Sequence, residues 1–551
     1  MEALVPEKES SLQFHRILSL AAMFLALAVA PVMAQEEREQ PQRGNASSGI
    51  FNLIPPDSTT DHVLKTASGD LPYSTTAGTL VLFGQDGDRT AKVFYTAYVA
   101  KDRQPRRPLT FVFNGGPGAA SAYLHLGLVG PRVLEFGPSR DDGTTPKLSD
   151  NPDSWLAFTD LVLIDPVGTG WSRAASNDAA GSFYGVRQDA ESLAKVIALY
   201  LQKNDRMDAP KYLLGESYGG FRAAKVATAL KNNQGILTSG VIMVSPMIEG
   251  RFLASTGDDP LAAALQLPSL AAAELERTNA FTPERISEAE RFAMGDYLVS
   301  LAGPAPSGEA ADGLYSRVSE LTGIPKEDVA RTRGFVGDIY AKRAAGSGQI
   351  ASSYDAAYSA PDAYPEAGYS RNDDPILDGY TRAYGAAFAN YARHELGFPS
   401  EVTYTLLNEE VNRRWEWNGG RGGDSRAMAS ASGDLRDLLS VIPSFRVMVV
   451  HGYSDALTPY GVSRYVIDHL PLRDLLSVIP SFRVMVVHGY SDALTPYGVS
   501  RYVIDHLPSG LVAGRAELKV YRGGHMFYTD PASRRSFTLD ARTFYGARAT
   551  D

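Results

Sequence analysis

A serine sits between glycines in Gly215-Glu216-Ser217-Tyr218-Gly219, after the apolar run Tyr212–Leu214 and before the helical pattern Phe221–Leu230. Strand, tight turn, helix is the context that presents a Ser hydroxyl above a sheet as a nucleophile. Glycines at 215 and 219 let the turn close. The free N–H groups opening the helix favour negative charge developing near Ser217. The bland reading is a Gly-rich turn with an idle serine.

A serine hydroxyl needs a base, and the base needs an orienting carboxylate. Nine histidines are present. His525 stands out, because Gly523-Gly524-His525-Met526 follows the strand pattern Leu518–Tyr521. The acid is expected at the end of the preceding strand. Val484–Val487 is followed by His488-Gly-Tyr-Ser-Asp492, and an identical copy ends in Asp455. A helix, a strand and ordinary loops between acid and base take about 30 residues. Asp492 lies 33 residues before His525 and Asp455 lies 70 before it, so Asp492 is preferred. For the oxyanion, the Tyr218 N–H supplies one donor. A second is expected from the Gly-rich loop Asn114-Gly115-Gly116-Pro117-Gly118 after the strand pattern Leu109–Phe113. No Lys-Ser/Thr follows that loop, which excludes a P-loop phosphate cradle.

These residues need a scaffold. Strand patterns at Thr79–Phe83, Lys92–Val99, Leu109–Phe113, Asp160–Ile164, Tyr212–Leu214 and Val241–Val244 alternate, from 109 on, with helical stretches such as Asp189–Leu201. That order predicts an α/β fold with a mostly parallel sheet flanked by helices. Residues 251–434 are rich in Ala, Glu, Tyr and Gly and read as a mostly helical cap, with helices expected at Pro268–Arg277, Pro283–Val299 and Tyr380–Leu396. Strand pattern resumes at Arg446–Val450. The core is thus expected in two parts, 61–250 and 435–551. Inside the second part, residues 435–471 recur without a difference as 472–508. Two copies without drift are no solenoid; they mark a recent duplication or a sequence error.

The chain of 551 residues is 44% hydrophobic and 21% charged, ordinary globular values. Its net charge of −10 gives no global field for nucleic acid. It contains no cysteine, which excludes disulfides, thiolate metal sites and a cysteine nucleophile together. His15 and Arg16 precede an apolar run from Ile17 to Val29, ending in Ala30-Pro31-Val32-Met33-Ala34. This pattern predicts a signal peptide over residues 1–34, export to a periplasmic or extracellular location, and no stable membrane insertion once it is removed. Residues 35–60 read as a flexible leader.

Four segments together resemble the serine carboxypeptidase family. They are Asn114-Gly-Gly-Pro-Gly118, Asp165-Pro-Val-Gly-Thr-Gly170, Gly215-Glu-Ser-Tyr-Gly-Gly220 and Gly524-His-Met526, in that order. The resemblance covers about residues 75–250 and 435–551. It implies an α/β-hydrolase fold and removal of C-terminal residues from peptides through an acyl-enzyme, with no metal or organic cofactor. It also implies a triad of Ser217, Asp492 and His525, and an oxyanion hole of the Gly116 and Tyr218 N–H groups. Asn114 and Glu216 would bind the substrate carboxylate. The chain departs from the family pattern at Val112, where an aromatic is frequent, and at Ala119-Ala120, where Cys-Ser is frequent. Leu128, two residues before Gly130-Pro131, stands where some members carry a second Glu. Two other readings remain: an esterase or acyltransferase on the same scaffold, and an inactive homologue used for binding.

Overall fold

The computed structural model describes residues 49–66, 69–101, 106–136, 143–254, 257–370, 374–417, 426–458, 460–469, 483–489 and 516–546. One sheet organises them. Its main strands are β1 (Ser58–Thr66), β2 (Gly69–Phe83), β3 (Arg89–Ala100), β4 (Leu109–Phe113), β5 (Asp160–Ile164), β6 (Lys211–Glu216), β7 (Gly240–Val244), β8 (Arg446–His451), β9 (Arg483–Gly489) and β10 (Ala516–Tyr521), and the short piece Arg173–Ala174 also pairs with β3. They lie in the order β1-β2-β3-β5-β4-β6-β7-β8-β9-β10. The first three strands and the β3–β5 pair are antiparallel, and every pair from β5 onward is parallel.

The central strands are apolar on both faces because both faces are covered. Leu109, Phe111 and Phe113 of β4, Leu213 of β6, Val241 and Met243 of β7, and Val447 and Val449 of β8 enter one core. Their alternates Val112, Tyr212, Leu214, Ile242, Val244, Met448 and Val450 enter the other. The period of two side chains thus serves two helical layers. Helices α1 (Val186–Lys203) and α2 (Tyr218–Gln234) cover the first face with Leu193, Ile197, Phe221 and Leu230. The second face receives Phe388 and Tyr391 from α4 (Ala383–His394), and Phe537 and Phe544 from α5 (Pro531–Gly546).

The structure shows an α/β-hydrolase fold, with differences from expectation that have physical causes. β1 and the turn of helix at Gly49–Asn52 fall partly in the range read as a leader. Its alternating pattern leaves only Leu64 buried, so its apolar signal is faint. Within the expected cap, helix α3 (Pro260–Arg277) begins eight residues before Pro268. Asp259 caps it, accepting from the Leu261 and Ala262 N–H groups, and Pro268 lies inside. Residues from 263 to 356 build a small core of their own around Leu267, Tyr297, Leu314 and Val318. Helix α4 does not join it; it belongs to the main sheet.

The two repeat copies lie side by side. β8 pairs with β9 in parallel and in identical register, from Arg446 opposite Arg483 to His451 opposite His488. The first copy takes the place next to β7, and the second stands between it and β10.

Candidate active site

Ser217 occupies a strained turn. β6 ends at Glu216, Ser217 takes φ 61° and ψ −126°, and α2 begins at Tyr218. A positive φ at a non-glycine residue persists only where neighbours over-determine it. Here the Ser217 N–H donates to the Val244 carbonyl at 2.8 Å. The Ser217 carbonyl accepts from the N–H groups of Gly220 at 3.0 Å and Met247 at 3.2 Å. The glycines are required by close approach. A Cβ on Gly215 would collide with the Gly219 carbonyl, and one on Gly219 would lie 2.7 Å from the Phe113 carbonyl oxygen.

The Gly-rich loop after β4 lies directly against this turn. A Cβ on Gly115 would sit 2.6 Å from the Tyr218 nitrogen, and Gly116 has φ +96°. The Gly116 and Tyr218 backbones therefore border the same cavity as Ser217. Buried charge pins the loop. Arg222 on α2 donates to the Asn114 carbonyl and, at 2.6 Å, to Asp189 on α1. Asp165 accepts from the Ser121 N–H and hydroxyl, each at 2.8 Å, and burial raises its carboxyl to about 6.

His525 follows β10 and is buried beside the same cavity. Its N–H donates to the Tyr354 carbonyl at 2.7 Å, and its carbonyl accepts from Ser245 Oγ at 2.9 Å. The Tyr354 ring stands edge-on to the imidazole at 5.1 Å. Desolvation lowers the His525 pKa to about 4. At neutral pH the ring is therefore uncharged, and one nitrogen holds a lone pair.

The carboxylate at His525 is Asp455, from the first copy. Asp455 Oδ2 bonds His525 Nδ1. Its Oδ1 accepts from the N–H groups of Leu457 and Thr458, and Thr458 Oγ1 lies 2.8 Å from Oδ2. Burial raises the Asp455 carboxyl, and these donors pull against it. Asp492, preferred from sequence spacing, lies outside the described residues; among those described, the carboxylate bonded to His525 is Asp455. The reason is spatial. β8, not β9, sits against β7, the strand that flanks the serine elbow. The loop after β10 passes the end of β9 to reach β8, with Gly452 bridged to Tyr521. A Cβ on Gly452 would collide with the carbonyls of Gly523 and Gly524, so glycine makes that crossing fit.

Glu216, next to the serine, is buried and grasped at both oxygens. Asn114 Nδ2 donates to Oε2, and Tyr528 donates to Oε1 at 2.7 Å. Asn114 Oδ1 in turn accepts from the Leu124 N–H at 3.1 Å. Desolvation outweighs these donors and the nearby His525, and raises the Glu216 carboxyl to about 7. The cavity joining these groups has a volume of about 250 Å³ and is also lined by Tyr123, Tyr354 and Arg426.

The structure thus gathers Ser217, His525, Gly116, Tyr218, Asn114 and Glu216 around one cavity. Sequence reading missed Tyr528 and Tyr354. Tyr528 carries the sole available signal, its place three residues after His525; Tyr354, from the cap, carries none. A hydroxyl on a helix N-terminus, a buried neutral imidazole and residues with backbone N–H groups lining the same cavity are the parts that acyl transfer needs.

Part of the chain is similar to known proteins. Residues 71–250 match the family model "Serine carboxypeptidase". Serine carboxypeptidase-like 44 of Arabidopsis thaliana is 29% identical over 145 residues, 26% of this chain and 29% of that protein. Serine carboxypeptidase-like 36 of the same plant is 29% identical over 234 residues, 38% of this chain and 44% of that protein. The chain therefore spans less than half the length of these curated relatives. Among solved structures, a prohormone-processing carboxypeptidase from Saccharomyces cerevisiae aligns with a TM-score of 0.49 and 15% identity, covering 87% of this chain and 92% of that one. Residues 71–250, with the motifs they carry, are thus similar to the serine carboxypeptidase family.

Proposed function

We propose that the protein is an exported serine-type carboxypeptidase acting on peptides through an acyl-enzyme. Ser217 attacks the scissile carbonyl while His525 takes its proton. Asp455 holds the imidazole with its proton on Nδ1, which leaves Nε2 as the base. The Gly116 and Tyr218 N–H groups stabilise the oxyanion. His525 then protonates the leaving amine, and water releases the acyl group by the reverse proton path.

The observation that carries this reading is the buried Glu216 carboxyl beside Ser217. A protonated carboxyl can donate to the substrate's terminal carboxylate, whereas two ionised ones repel. The Asn114 amide carries two N–H donors, and Glu216 takes one of them, so a second remains for the substrate. Nothing in ester hydrolysis calls for such a pair. Export is supported by the signal pattern at residues 15–34, which lie outside the described residues. Among the described residues, no helix is long and apolar enough to cross a membrane.

The test is incubation with blocked dipeptides and longer peptides, as free acids and as C-terminal amides, followed by mass spectrometry. Stepwise loss of C-terminal residues from the free acids is expected. Equal turnover of the amides, or cleavage of esters alone, would move the assignment to an esterase or acyltransferase.

A further inference from the structure

Tyr528 lies on the short turn Phe527–Thr529, three residues after His525, and its side chain is fully buried. Its ring packs against Gly127. A Cβ on Gly127 would come within 2.7 Å of the ring carbon Cε2, so the absence of a side chain there forms the seat. From that seat the hydroxyl donates to Glu216 Oε1 at 2.7 Å. One loop therefore carries the imidazole and also grips the carboxyl next to Ser217.

A carboxylate offers four lone-pair sites on two oxygens. Tyr528 and Asn114 occupy one site on each oxygen of Glu216. This pins the carboxyl plane and leaves the remaining sites for a proton or a ligand in the cavity that Glu216 lines. The other titratable groups acting on Glu216 are His525 on the cavity wall, Asp455 bonded to that histidine, Tyr123 after the Gly-rich loop, and Tyr384 on α4. Burial pushes the phenols of Tyr123, Tyr384 and Tyr528 far above their ordinary value, so all three stay protonated.

We propose that Tyr528 is a positioning residue whose hydroxyl orients the Glu216 carboxyl toward the substrate's terminal carboxylate and determines the pH above which free-acid peptides bind weakly. The proposal rests on the reading of Glu216 as the partner of that carboxylate. A donor to Glu216 favours its ionised form. Removing the donor lets Glu216 hold its proton to higher pH, and strengthening it does the reverse.

The test compares KM and kcat against pH for free-acid and amidated peptides in wild type, Tyr528→Phe and Tyr528→3-fluorotyrosine, with circular dichroism to check folding. Tyr528→Phe should move the rise in free-acid KM upward by about one pH unit, a roughly tenfold change in the proton equilibrium, with kcat little altered. Tyr528→3-fluorotyrosine is a stronger donor of the same shape, and should move the rise downward. A purely structural tyrosine would alter KM or kcat evenly across pH and shift neither midpoint. If wild type discriminates free acids from amides while both midpoints stay put, the role of Tyr528 is overturned and Glu216 keeps its own. If wild type does not discriminate, both fall. Should Tyr528→Phe fail to fold, the fluorotyrosine variant alone decides.

Discussion

Asp455 is hydrogen-bonded to Nδ1 of His525 across 70 residues of chain, although an identical aspartate, Asp492, stands only 33 residues away in sequence. The two copies share every residue, so chemistry does not distinguish them. Their places in the sheet do, because only β8 lies against the strand that flanks the serine elbow.

Asp455→Asn should therefore lower kcat by about 10⁴, the loss expected when the base is held in the wrong tautomer. Asp492→Asn should leave kcat within about twofold. Steady-state kinetics on the two variants separates them. The opposite pattern would place the second copy beside β7.

Deleting residues 435–471 or residues 472–508 yields the same polypeptide, with one strand between β7 and β10. The loop after β10 would then no longer have to pass an intervening strand to bring His525 to its acid. The shortened protein should keep its activity and unfold at higher denaturant concentration. Loss of activity in a folded deletion would mean that both copies are needed.

Ser217→Ala should abolish turnover and reaction with a fluorophosphonate probe while circular dichroism stays unchanged. Ser217→Ala/His525→Ala should be little worse than Ser217→Ala, because nucleophile and base act as a unit. A folded Ser217→Ala variant with most of its activity would place the chemistry elsewhere.

The pH profile of kcat/KM reports the essential groups of the free enzyme. His525 must be neutral, and its pKa of about 4 sets the acid limb. Glu216 must be protonated to meet a substrate carboxylate, and its pKa of about 7 sets the alkaline limb. Free-acid peptides should therefore show a bell between about 4 and about 7. Glu216→Gln should remove the alkaline limb alone, since an amide donates without titrating. An unchanged bell in that variant would assign the limb to another group.

Arg222 and Asp189 form a buried pair that also holds the Asn114 carbonyl. Arg222→Met strands a buried carboxylate and frees the Gly-rich loop. It should cost about 3–5 kcal/mol of stability, read from urea unfolding. Arg222→Met/Asp189→Leu should regain much of that stability but not the activity, because the loop stays unpinned.

Much of this protein was legible before any coordinates. The strands Leu109–Phe113 and Asp160–Ile164 are read to the residue, because strands buried on both faces are unbroken apolar runs that stop at turn chemistry. The serine turn and the histidine loop are equally local, set by glycines whose missing side chains the backbone requires. β1 escaped because an exposed edge strand need not be apolar. Helix α3 escaped at its start because its cap, Asp259, lies nine residues before the proline that drew attention. Sequence also narrowed the acid to two identical candidates, but chain separation is a poor guide to which one reaches the base. That choice, and the meeting of Tyr528 with Glu216 and Tyr354 with His525, depends on which elements become neighbours in the sheet and above it. Neighbours across a sheet are selected by packing over the whole fold, and a local pattern of residue types carries no record of it.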